Sequence, residues 1–154
     1  MFYFPLAPWA HFCYHLLEHQ IQENAMFNIE FYGTADGVSE LWDFLDDLQR
    51  KAATSKDARI QYKQISLYIQ LLEDHGTQLG ENITKHLEED IWELRPGNNR
   101  VLYFYHKGDT YVLLHQFRKK TQKTPRREIE KAKAERDDWI ARKGKSLDFI
   151  GREG

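Results

Sequence analysis

Six cations crowd one part of this chain: Arg95, Arg100, Arg118, Lys119, Lys120 and Lys123, interleaved with Tyr103, Tyr105, Tyr111, His106, His115 and Phe117. Guanidinium and ammonium groups hold phosphate while aromatic faces stack on bases, so the mixture is a nucleic-acid footprint. Arginine and lysine can also stabilise the negative charge that builds on phosphorus during phosphoryl transfer. Arg95 to Arg127 hold nine basic residues against a single acid, Asp109, whereas residues 1–25 contain no Lys or Arg. The formal net charge of −2 therefore hides an uneven distribution.

Other chemistries are excluded by missing motifs. There is no phosphate-binding glycine loop, no His-Glu-x-x-His and no Gly-x-Ser-x-Gly elbow, which removes nucleotide-binding, zinc-protease and serine-hydrolase readings. Cys13 is the only cysteine, so no intrachain disulfide forms, no four-ligand zinc site is suggested, and a reducing cytoplasm is the expected compartment. His11, His15, Glu18 and His19 interrupt the aromatic-rich opening, which lacks a basic start and is a poor signal peptide. No run reaches the roughly 20 apolar residues that span a bilayer, so no membrane partner is expected.

The chain of 154 residues suits one domain, and 41% hydrophobic with 30% charged residues is ordinary globular composition. Residues 1–25 are set apart as an N-terminal extension or extra helix, 26–143 as the domain, and 144–154 as a C-terminal tail. Phe27 to Phe31 alternates apolar and polar residues and predicts a strand. Val38, Leu41, Trp42, Leu45 and Leu48 predict an amphipathic helix, and Ala58, Tyr62, Ile65, Ile69 and Leu72 a second, ending at His75-Gly76. Three short strands follow, Ile91 to Arg95, Arg100 to His106 and Tyr111 to Phe117, separated by Pro-Gly-Asn-Asn and Lys-Gly-Asp-Thr turns. Trp92 and Leu94 mark the core face of the first of these, and Trp42, Tyr103 and Tyr105 are assigned to the core. Thr124-Pro125 predicts an N-cap, with Ile129, Ala132, Arg136 and Ile140 continuing a C-terminal helix. The expected class is α+β: a twisted antiparallel sheet packed against an N-terminal helical pair, followed by a C-terminal helix.

Three segments carry a family resemblance: Ile91-Trp92-Glu93-Leu94-Arg95, Arg100-Val101-Leu102-Tyr103-Phe104, and Leu113-Leu114-His115-Gln116-Phe117 running into Arg118-Lys119-Lys120-Thr121-Gln122-Lys123-Thr124-Pro125. They resemble the RelE/ParE superfamily of toxins from type II toxin-antitoxin systems, in its HigB-like, phage-derived branch. The likeness implies a RelE-like fold and a ribosome-dependent endoribonuclease that cuts messenger RNA and so inhibits translation. It also implies a reaction needing no metal or other cofactor, and a helix-turn-helix antitoxin as protein partner beside the ribosome and messenger RNA. Carried over residue by residue, Arg100, Lys119, Lys120 and, more weakly, His115 become catalytic candidates. Arg95, Arg118, Lys123 and Arg126 become RNA-binding ones. The chain departs from RelE itself in carrying Glu93 where basic residues are usual, and in having no tyrosine after Tyr111.

Blander readings stand beside these. Without the motif, Arg95 and Arg100 are ordinary cross-strand residues flanking a Pro-Gly turn, and the lysines are a solvated charge run. A histidine amid Leu113, Leu114 and Phe117 is more often a hydrogen-bonded structural residue than a proton shuttle. A ParE-like gyrase inhibitor, or a non-catalytic phage-derived nucleic-acid-binding protein, could share the fold.

Overall fold

The computed structural model describes residues 26–152, with side chains through residue 143. In chain order the elements are β1 (Asn28–Phe31), α1 (Glu40–Lys51), α2 (Lys56–His75), β2 (Thr84–Glu88), β3 (Ile91–Leu94), β4 (Asn99–His106), β5 (Thr110–Arg118) and α3 (Arg126–Arg152). The sheet order is β1-β5-β4-β3-β2. Strands β2 to β5 form an antiparallel meander, while β1 joins β5 in parallel and makes the sheet mixed. This α+β arrangement is that of a RelE-like fold. No helix among the described residues is long and apolar enough to cross a membrane.

Serines start both helices of the N-terminal pair. Ser39 Oγ accepts from the Trp42 N–H at 3.3 Å and Ser55 Oγ from the Ala58 N–H at 3.2 Å, each satisfying one of the unpaired donors of a first helical turn. The inward stripe of Leu41, Leu45, Leu48, Tyr62, Ile65, Ile69 and Leu72 packs on Leu94, Val101, Tyr103, Tyr111 and Leu113. Val38 precedes α1 and is exposed rather than part of that stripe.

The sheet is covered on its other face as well. Tyr32, Ile91, Leu102, Phe104, Val112 and Leu114 pack with Ala132 and Trp139 of α3. Strands buried on both faces read as continuous apolar runs rather than alternating ones, and for that reason the Trp92 face is not the only core face of β3. Within α3 the inward residues are Ala132, Glu135 and Trp139, whereas Ile140 is exposed, so the buried stripe is rotated from the expected one. Tyr105 departs from its expected core position, with 40% of its surface exposed near the end of β4.

Strand β2 was not expected, because Thr84-Lys85-His86-Leu87-Glu88 carries a single large apolar residue and lies at the sheet edge. Its register with β3 shifts between His86 and Glu88. Thr124 is not the cap of α3. The Pro125 carbonyl accepts the first bonds, from the Glu128 and Ile129 N–H groups at 3.0 and 3.4 Å, and the Thr124 hydroxyl is used elsewhere.

Candidate nucleic-acid interface

The basic residues collect at one end of the sheet. Between β3 and β4, the Asn99 N–H donates to the Pro96 carbonyl at 3.0 Å, and Gly97 takes a φ of +60° that a side chain would resist. A Cβ at Gly97 would also come within 2.6 Å of Gln64 Oε1, so α2 lies close against this turn. The turn brings Arg95 and Arg100 together. In the neighbouring strand Asn99 is opposite Arg118 and Arg100 opposite Phe117. The Lys119 N–H then donates to the Asn98 carbonyl at 2.7 Å, fastening the start of the basic loop to the same turn.

Burial divides these cations. Arg100 is 6% exposed, and its Nη1 donates to the Gly97 and Asn99 carbonyls at 2.9 and 2.8 Å. Loss of solvent lowers its pKa from the ordinary value, and the field of Glu93 opposes that shift. Arg95 is partly exposed; its Nη1 donates to the Glu81 carbonyl at 2.8 Å and its Nε stands 3.6 Å from Glu93 Oε1. Arg118, Lys120 and Lys123 are exposed and Lys119 is half-buried. Among the described residues, none of these four side chains pairs with a carboxylate.

The cations of α3 are in the opposite condition. Arg126 stands 2.7 Å from Glu88 and 2.7 Å from Glu130, Lys133 is 2.6 Å from Glu88, and Lys131 is 2.6 Å from Glu40. Hydrogen bonds from Arg126 and then Lys133 hold the Glu88 carboxyl down at about 2. Arg126, expected with Arg95, Arg118 and Lys123 to bind RNA, is therefore engaged with Glu88 at the end of β2 and Glu130 of α3.

His115 is placed where a proton shuttle would be shut in. It has 0% exposure, with Nε2 2.8 Å from Glu128 Oε2 and Nδ1 bonded to Glu135 Oε1. Its orientation depends on a bulge: the register of β4 and β5 shifts between Leu102 and Tyr103, so Leu102 is opposite His115 while Tyr103 is opposite Leu113. Leu114 and His115 consequently both face α3, where strict alternation would have turned one of them away. A neutral imidazole donates from one nitrogen only, so the two bonds require an imidazolium or a protonated carboxyl. The geometry has His115 joining β5 to α3, closed off from solvent.

A family model for the Phage derived protein Gp49-like proteins (DUF891) matches residues 43–137, which is more than half of the chain. The chain belongs to that phage-derived family. The family contains RelE/HigB-like toxin members and is associated with the toxins of toxin-antitoxin systems. No curated protein matches the chain. The matched stretch of this family member runs from within α1 to within α3 and contains the whole basic end of the sheet together with Glu128 and Glu135.

Sequence reasoning missed Glu128 and Glu135, and marked Glu93 only as a departure from the RelE pattern. The signal for the first two was present: Glu128, Ala132, Glu135 and Trp139 recur at four- and three-residue spacing and share one helical face. Two acids on a buried stripe imply a buried donor opposite, and His115 is that donor.

Proposed function

We propose that the protein is the toxin of a type II toxin-antitoxin system, acting in the cytoplasm as a ribosome-dependent endoribonuclease on messenger RNA. The observation that carries this reading is the set of Arg118, Lys119, Lys120 and Lys123, without carboxylate partners among the described residues, next to Arg95 and Arg100. Membership of a family associated with such toxins supports it. In the proposed reaction the ribose 2′-hydroxyl gives up its proton to water as its oxygen bonds to the adjacent phosphorus, the bond to the 5′-oxygen breaks to leave a 2′,3′-cyclic phosphate, and the leaving oxygen takes a proton from water. Lys119 and Lys120 stabilise the charge on the phosphorane, Arg95, Arg118 and Lys123 hold the backbone, and Arg100 acts chiefly by fixing the turn. A helix-turn-helix antitoxin is the proposed inhibitor, covering this basic surface.

The test is controlled expression with and without the product of the neighbouring gene, followed by mapping of messenger RNA ends. Growth arrest with new ends inside translated reading frames is expected. Arrest with intact messages and broken DNA would instead favour a ParE-like gyrase inhibitor, and normal growth a non-catalytic binding protein.

A further inference from the structure

Glu93 lies where a surface for RNA has least use for an acid. It is 3% exposed, so its carboxylate has surrendered water at the most basic end of the sheet. A buried carboxylate is tolerated only where partners replace that water. Its Oε1 faces Arg95 Nε at 3.6 Å, and its Oε2 accepts a 2.6 Å bond from the Thr124 hydroxyl. The charge of Arg95 adds to the electrostatic cost at Arg100, and the charge of Glu93 offsets it there. These partners come from three separate pieces of chain: the residue that follows β3, the start of β4 and the far end of the basic loop.

The loop is therefore fastened at both ends. Lys119 is tied through its N–H to Asn98, and Thr124, the residue after Lys123, is tied to Glu93. Between the two anchors Thr121 Oγ1 donates to the Lys123 carbonyl at 2.8 Å. We propose that Glu93 is a positioning residue: it balances Arg95 against Arg100 and, through Thr124, holds Lys119, Lys120 and Lys123 in fixed register with them. This rests on the nuclease reading above for its purpose, though not for its geometry. The same acid that looks out of place beside the RelE pattern becomes the latch that preorganises the cations.

Thr124 provides the cleaner test, because it is half-buried at the edge of the cluster and Glu93 variants risk unfolding. Thr124→Val removes the donor at nearly constant volume, and Thr124→Ser restores it. The single-turnover rate at saturating ribosomes should fall about tenfold or more in Thr124→Val, with half-saturation unchanged, and return to within about twofold in Thr124→Ser. Limited trypsin digestion, read by mass spectrometry, should show faster cutting after Lys119, Lys120 and Lys123 in Thr124→Val alone. Unchanged trypsin protection in Thr124→Val overturns the latch whatever the rate. If the loop opens as expected but the unmodified protein cuts no message, the latch stands and the nuclease reading falls.

Discussion

His115 Nε2 on β5 and Glu128 Oε2 on α3 meet at 2.8 Å, beneath a surface that gives the imidazole no solvent. With Glu135 on the other nitrogen, the ring joins two carboxylates, of which Glu128 also stands 3.5 Å from Arg127. His115→Ala should therefore destabilise the protein by about 3 kcal/mol or more, since breaking a buried pair leaves uncompensated charge. Urea unfolding checks this, with an unchanged slope as the sign of a pure stability effect. Cleavage per folded molecule should be preserved. A loss larger than about a hundredfold per folded molecule would return His115 to the chemistry.

Lys120→Ala should lower the single-turnover rate of message cleavage by about a hundred- to a thousandfold, the usual effect of deleting one preorganised cation from a charged transition state. Its exposure predicts an unaltered melting temperature. Arg100→Ala is expected to behave differently. That side chain is buried on the Gly97 and Asn99 carbonyls, so its removal should lower stability as well as rate. Parallel circular dichroism melts of the two variants separate the roles.

Glu73 on α2 gives a pH dependence of definite sign. Burial, with the neighbouring Asp74 adding to it, pushes its carboxyl up to about 7, and its Oε2 has no hydrogen-bond partner among the described residues. The folded state then holds this proton more tightly than the unfolded state, where the ordinary value is 4.5. Its contribution is full below the unfolded value and is lost as pH rises through about 7. Glu73→Gln should be more stable than the unmodified protein at pH 8 and should lose this advantage at pH 4, as measured by denaturant melts at both values.

Expression of residues 26–154 should arrest growth and cut translated messages as the full chain does. Every basic residue of the interface lies downstream of residue 26, and β1, which begins at Asn28, already completes the sheet on β5. Loss of activity with retained folding would show that residues 1–25 contribute to the site.

The elements that build their own local signals were legible. Leu41, Leu45 and Leu48, or Tyr62, Ile65 and Ile69, declare a helix by spacing alone, and the Pro-Gly and Lys-Gly turns declare hairpins. What escaped depends on distant partners. A polar edge strand such as β2 is held mainly by backbone pairing to β3, which leaves little trace in side-chain pattern. The parallel pairing of β1 with β5, the bulge that turns His115 toward α3, and the Thr124 bond to Glu93 are all long-range choices. The residues of the basic surface were readable because each falls within one of three short runs that carry the resemblance. The acids that organise it were not, since Glu93 is remote in sequence from Thr124, and Glu135 from the strand it supports.

The last-made strand of the sheet is the one that the first strand needs. Asn28 Nδ2 donates to Asp109 Oδ2 across 81 positions, and the β1 backbone pairs with Thr110 to Leu113. During synthesis the apolar stripe of α1 and α2 thus emerges well before β4 and β5 exist to cover it, and contacts so far apart in sequence form slowly. A ribosome making this chain carries an unfinished sheet until almost the whole domain has been translated.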